Sequence, residues 1–235
     1  GLGITLMLAI IRTDMRIWQK LSPYLFFISV ALLIAVLIPG IGRMVNGSMR
    51  WIYLGPFGLQ VSEVEKLCTI LFIANYIHHY RDEICHRLST FLKPLAWLAI
   101  VAILLLLEPD FGATVVIAAT VMGMLFLAGV RFSQFLLLLF IVSAVLVVLA
   151  ISSPYRLVRL TTFLNPWADQ FNTGYQLTQS LIAFGRGGWF GTGLGESVQK
   201  LFYLPEAHTD FLFAVIVEEL GLIGCLVIIA LYTLL

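Results

Sequence analysis

The sequence predicts an all-α, polytopic membrane protein, and three observations carry that prediction. Of 235 residues, 60% are hydrophobic and only 11% are charged, less than half the roughly 25% usual in soluble domains. The mean hydropathy is +1.00. Apolar runs recur along the whole chain, and open strands cannot cross lipid, so these runs are expected to be helices. A net charge of +1 gives no signal for nucleic acid. The three cysteines, Cys68, Cys85 and Cys225, lack metal or redox spacing and are read as free thiols. The chain has no initiator Met and starts and stops inside apolar runs, so it is expected to be a piece of a longer protein.

Candidate spans cover roughly 1–11, 21–39, 64–79, 94–107, 113–130, 134–151 and 212–235. All are assigned to one transmembrane domain, residues 1–235, with a large loop over about 152–211. The short loops divide by charge. One side carries Arg12, Arg16, Lys20, Arg81, Arg87, Lys93 and Arg131, and the other only Arg43 and Arg50. The positive-inside rule makes the first side cytoplasmic. The turn at 108–112 and the long loop then lie outside.

The stretch "LEPDFGATVV", residues 107–116, breaks the pattern, because Glu108 and Asp110 are the only charges between Pro94 and Val130. The span 94–107 reaches only about 21 Å, against a hydrocarbon core of about 30 Å. Either the helix starts near Leu88, or the turn dips and recesses both acids. Ionisable groups at such depth are functional candidates. The local chemistry reads as a helix start, with Pro109 and Asp110 in its first turn. A capped turn between two helices explains the same residues.

Two further constellations stand out. In "QVSEVEKL", residues 60–67, Ser62 and Glu65 have capping-box spacing. Glu63 and Lys66 share a helix face. A first-turn lysine opposes the helix dipole, so Lys66 wants Glu63 or an anionic ligand as partner. In the long loop, Leu177, Leu181, Ile182 and Phe184 have the spacing of one face of a short helix lying in the membrane interface. The glycines from 185 to 195 form either tight turns or phosphate-cradling nests. Arg186 and Lys200 bind phosphate or are solvated charges. His208 and Asp210 are two metal ligands at most, and a helix cap explains Asp210 equally well. Glu218 and Glu219 lie within the last span, where at least one must face protein.

Taken together, "VNGSMRWIYLG", "SEVEK", "EPDFGATVV" and "GYQLTQSLIAFGRGGWFGTGLGESVQKLFYLPEAHTDFLFAVIVEELG" resemble the SEDS family of bacterial cell-wall proteins. The likeness runs from about Arg12 to the end and is greater to the cell-division branch than to the elongation branch. It implies a ten-span peptidoglycan glycosyltransferase, of which this chain lacks the first span and the last two. It implies that Asp110 is the catalytic base and that Glu63 and Lys66 line the same central cavity. Glu108, Arg186, Lys200, His208 and Asp210 are candidate substrate-binding residues. The implied substrate is lipid II, polymerised into β-1,4-linked glycan on the outer face of the cytoplasmic membrane at the septum. The implied partners are a class B penicillin-binding transpeptidase of the FtsI type and the small proteins FtsQ, FtsL and FtsB. A divalent cation, Mg or Mn, is a candidate cofactor, and no organic cofactor is expected. Two departures from the family pattern are Val61, where proline is usual, and Glu108, where many members carry glutamine. A lipid II flippase and a non-catalytic division scaffold are the alternatives.

Overall fold

A computed structural model describes residues 2–45, 48–54 and 57–234. The chain forms two compact units, Gly1–Leu146 and Val147–Leu235.

The first unit is a helical bundle carrying a small sheet. Its helices are α1 (Leu2–Arg12), α2 (Met15–Val36), α3 (Val61–His79), the single turn α4 (Arg81–Ile84), α5 (Leu88–Leu107) and α6 (Phe111–Leu127). Helix α7 (Phe132–Ile151) runs from this unit into the second. Among the described residues, four helices are long and apolar enough to cross a membrane: α2, α5, α7 and α10 (Leu212–Leu234), the last in the second unit. Helices α1 and α6, also apolar, have 11 and 17 residues. Helix α3 falls outside this set because Glu63, Glu65 and Lys66 occupy its first two turns. Helix α5 does start at Leu88. Its 20 residues span about 30 Å, so the turn after it need not dip to complete the crossing.

Apolar side chains of α2, α3, α5 and α6 meet in one core that includes Phe26, Leu33, Ile73, Val101, Leu105, Ile117, Val121 and Leu125. Phe26 stacks on Phe72 with ring centroids 4.2 Å apart, and Trp97 stands edge-on to both. Such aromatic pairs add about 0.5–1.5 kcal/mol beyond the area that they bury.

The sequence predicts no strand, yet residues 43–45, 48–54 and 57–60 form one small sheet. Strands β1 (Arg43–Val45), β2 (Ser48–Leu54) and β3 (Phe57–Gln60) pair antiparallel in the order β1-β2-β3. Trp51 lies opposite Gln60 and Ile52 opposite Leu59. Ile52 of β2 packs against the helical core, and Arg50, at the register shift two residues before it, reaches the turn between α5 and α6. Strand β3 passes directly into α3, and this corrects the capping-box expectation. The helix begins at Val61 without a side-chain cap from Gln60. Ser62 is therefore already helical, and its hydroxyl accepts from Gln60 Nε2. Glu65 instead lies fully buried and accepts from Thr69 Oγ1 at 2.7 Å. The strand fixes the entry to α3, which a capping box would otherwise do.

The second unit holds α8 (Pro154–Leu164), a 3-10 turn (Pro166–Asp169), α9 (Tyr175–Gly187), a π-helical turn (Gln199–Tyr203) and α10. Helix α9 lies where a short helix was expected. Leu181, Ile182 and Phe184 are exposed, and the buried residues are Thr178, Ser180, Ala183 and Gly187. Helix α10 is broken at Gly221, which has φ 69° and ψ −169°. The loop after α9 repairs the break. Thr192 N–H donates to Glu218 O and Gly193 N–H to Glu219 O, while Leu222 N–H donates to Gly188 O and Ile223 N–H to Trp189 O. Within a membrane each such group left unpaired is costly, so an interrupted span needs this partner backbone. The loop glycines thus serve close approach: a Cβ on Gly187 would strike Val217 O, and one on Gly191 would strike Glu219 O.

Candidate functional site

In the first unit, the site forms where the end of α5 meets the start of α6. Glu108 ends α5, and Asp110 is the N-cap of α6. Helix α6 therefore starts two residues later than expected, at Phe111, leaving Pro109 and Asp110 outside it. The cause is the Asp110 carboxylate, which takes the Ala113 N–H at 3.1 Å through Oδ1 and so occupies the capping position. Asp110 is 6% exposed and Glu108 is fully buried.

Arg50 reaches this turn from β2. Its Nη2 donates to Pro109 O at 2.7 Å and its Nε to Glu108 O at 3.5 Å. The same Nε stands 3.9 Å from Asp110 Oδ2. Neither carboxyl oxygen of Glu108 has a hydrogen-bond partner among the described residues. Burial pushes the Glu108 carboxyl up to about 8, with the Asp110 charge adding to the rise and Arg50 opposing it. At neutral pH Glu108 is therefore mostly the uncharged acid.

Glu63 and Lys66 form an ion pair on the first turns of α3, Nζ to oxygen 2.7 Å. Glu63 is largely exposed and Lys66 partly so. Neither has a hydrogen bond or ion pair to Asp110. The expected partner of Lys66 is thus present within its own helix.

The second unit holds the other charged cluster. Glu218, fully buried on α10, accepts from Ser197 Oγ, from Val198 N–H at 3.3 Å and from Gln199 N–H at 3.2 Å. Arg186 Nε lies 3.6 Å from it. Lys200 donates to Glu219 Oε1 at 2.8 Å and to Gly195 O. The intramembrane acids thus face protein, as expected, and each is matched to a candidate cation. His208 and Asp210 are exposed and make no hydrogen bond or ion pair among the described residues. Among those residues no three His, Cys, Asp or Glu side chains converge to hold a metal ion. The three cysteines are free.

Two groups escaped the sequence reading as site residues. From the sequence Arg50 reads only as an outer charge; its place in the run "SMRWIYL", two before Ile52, is the signal that points to the buried face. Ser197 and the amides after it carry no signal, because only the fold brings them to Glu218.

Chemically, the first cluster is a nearly enclosed carboxylate beside a guanidinium, suited to taking a proton from a hydroxyl. The second pairs two cations with two acids, Arg186 with Glu218 and Lys200 with Glu219. Their setting is a multi-pass helical membrane protein with an acid at a helix N-cap, and this defines the class. The model of the FtsW/RodA/SpoVE family of cell cycle proteins matches residues 1–235, and the chain belongs to that family. It is 61% identical over 233 residues to a protein of Legionella pneumophila named "Probable peptidoglycan glycosyltransferase FtsW", covering 99% of this chain and 59% of that protein. A protein of Coxiella burnetii with the same name is 60% identical over 235 residues, covering 100% of this chain and 63% of that protein. The chain thus spans about three-fifths of the length of these curated relatives. Among solved structures, a chain from a peptidoglycan synthase complex, described for its structural coordination of polymerization and crosslinking, is similar with TM-score 0.73 and 28% identity. That match covers 99% of this chain and 65% of the other. The rod shape determining protein RodA of Thermus thermophilus is similar with TM-score 0.64 and 27% identity, covering 100% of this chain and 60% of RodA.

Proposed function

We propose that this chain forms the core of a peptidoglycan glycosyltransferase that polymerises lipid II on the outer face of the cytoplasmic membrane during septal wall synthesis. The observation that carries this reading is the Asp110 carboxylate, fixed by the α6 cap through one oxygen and turned toward Arg50 through the other. The names of the relatives support the activity.

In this reading Asp110 is the general base. It accepts the proton of the 4-hydroxyl on the acceptor N-acetylglucosamine. That oxygen attacks C1 of the donor N-acetylmuramic acid, the C1–O bond to undecaprenyl pyrophosphate breaks, and the anomeric centre inverts to a β-1,4 link. A positioned base contributes about 10²–10⁴-fold. The leaving pyrophosphate needs cations, and Lys66, Arg186 and Lys200 are the candidates. Glu63 orients Lys66, while Glu108 keeps an uncharged acid beside the base. His208 and Asp210, exposed on the loop before α10, are proposed to contact the substrate headgroup. A magnesium or manganese ion would enter with the pyrophosphate, since Mg²⁺ is commonly held by one or two carboxylates together with substrate phosphates.

The partners of this reading are a class B transpeptidase, which crosslinks the new strand, and FtsQ, FtsL and FtsB. The similarity to a chain of a peptidoglycan synthase complex supports the first of these. The test uses the full-length protein purified with its transpeptidase, supplied with lipid II, and the glycan is resolved on a gel. Wild type should make long strands and Asp110→Asn almost none. Equal product from both would remove Asp110 from the reaction.

A further inference from the structure

The glycosyltransferase reading needs a base, but a carboxylate at a helix cap has freedom that a base must lose. Its Oδ1 is occupied by the Ala113 amide. The remaining oxygen, Oδ2, is the one left to take a proton, and its only charged neighbour among the described contacts is Arg50 Nε at 3.9 Å. Arg50 does more than face that oxygen. Its Nη2 holds Pro109 O at 2.7 Å and its Nε meets Glu108 O at 3.5 Å. One side chain thus grips the backbone of two successive residues and the acid that follows them.

The grip comes from a rigid element. Arg50 sits on the middle strand of the sheet at the β1–β2 register shift, flanked by paired residues, Met49 with Met44 and Trp51 with both Arg43 and Gln60, and Ile52 beyond it packs against the helical core. A guanidinium suits the task because its donors lie in a fixed planar fork, whereas an ammonium is a point charge on a flexible stem. The neighbouring arginine of the sheet does something else: the Arg43 guanidinium lies over the Tyr53 ring, 5.0 Å from its centroid.

We propose that Arg50 is a positioning residue of the Asp110 site, clamping the Glu108–Asp110 turn from strand β2 so that Asp110 Oδ2 stays aimed at the acceptor hydroxyl. This rests on the glycosyltransferase reading. It makes the outer sheet part of the active-site framework, linking the register of β2 to turnover.

The experiment uses the full-length protein with its transpeptidase and measures kcat and KM for lipid II alongside melting temperature. Wild type and Asp110→Ala are run first. Polymer from the former and none from the latter keeps the underlying reading, and the Arg50 variants then test the clamp alone. Wild type without polymer would sink both. Arg50→Ala should lower kcat by about 10²-fold, the low end of what a positioned base contributes, with KM changed less than about threefold. Added guanidinium should restore part of the kcat of Arg50→Ala and nothing to Asp110→Ala. Arg50→Lys retains the charge at the end of α5, so it should melt near wild type yet stay at least about tenfold slow, because the fork is gone. Arg43→Ala, which removes the same charge from the same sheet, should keep wild-type kcat. Full turnover in Arg50→Lys would reduce Arg50 to a helix-end cation and overturn the proposal. A large rise in KM at unchanged kcat would also overturn it, by making Arg50 a substrate ligand. Arg50→Lys carries the test if Arg50→Ala fails to fold.

Discussion

Glu108 carries the sharpest pH signature in the first unit. Its folded-state carboxyl is raised from 4.5 to about 8, chiefly by burial. Between these values the folded protein holds a proton that the unfolded chain releases, so stability falls as pH rises through that window. The melting temperature of the purified protein should therefore drop from pH 5 to pH 9. Glu108→Gln, which cannot ionise, should flatten that dependence; an unchanged slope in Glu108→Gln would show that another group is responsible. Glu63 and Lys66 call for the opposite logic. Their partly exposed pair is three residues apart on one helix, and such pairs contribute only about 0.3–0.5 kcal/mol. Lys66→Ala should thus leave the melting temperature nearly unchanged. A tenfold or greater loss of glycan synthesis in that variant would then measure chemistry, not folding. The acids were legible because charge is scarce in so apolar a chain. Arg50 was not, because its partners lie 58 and 59 residues away.

The element that most needs its sequence is α10. A span interrupted at Gly221 survives because residues 188–193 supply partners for the freed amides and carbonyls. Gly191, at φ 80°, and Gly221 pack backbone to backbone, so a Cβ on either meets main-chain atoms of the other strand of this contact. Gly191→Ala should destabilise strongly: left-handed strain alone costs about 1–3 kcal/mol, and the clash adds to it. Gly185 is the control. It lies in α9 with open space around its Cβ position, so Gly185→Ala should be neutral or gain up to about 1 kcal/mol. Thermal melts of both variants in detergent check the pair; equal stability would mean that the loop does not pack on α10 as described. Glycine richness showed in the sequence that something unusual happens here. It did not say whether turns, phosphate nests or close packing required it, since all three use the same lack of a Cβ.

At the scale of the molecule, the loop charges orient the chain. Seven Lys/Arg residues on one set of short loops against two on the other predict that the sheet and the Glu108–Asp110 turn lie outside. In a background with Cys68, Cys85 and Cys225 replaced, Tyr53→Cys should react with a membrane-impermeant maleimide on intact spheroplasts, and His86→Cys only after permeabilisation. The reverse pattern would invert the topology and place the Asp110 site on the wrong face for an externally used substrate. The sequence by itself determined the membrane class, the positions of the long apolar helices and the suspicious acids. These depend on hydropathy and composition, which are local sums over neighbouring residues. The tertiary structure alone decided that β1, β2 and β3 form a sheet, that Glu65 is a buried partner of Thr69, that Arg50 grips the turn before α6, and that Glu218 organises Ser197 and the amides after it. Those are pairings between distant segments. Hydrogen bonds and charge contacts of a few ångströms depend on where the backbone carries each group, and no local pattern of residue types encodes that placement.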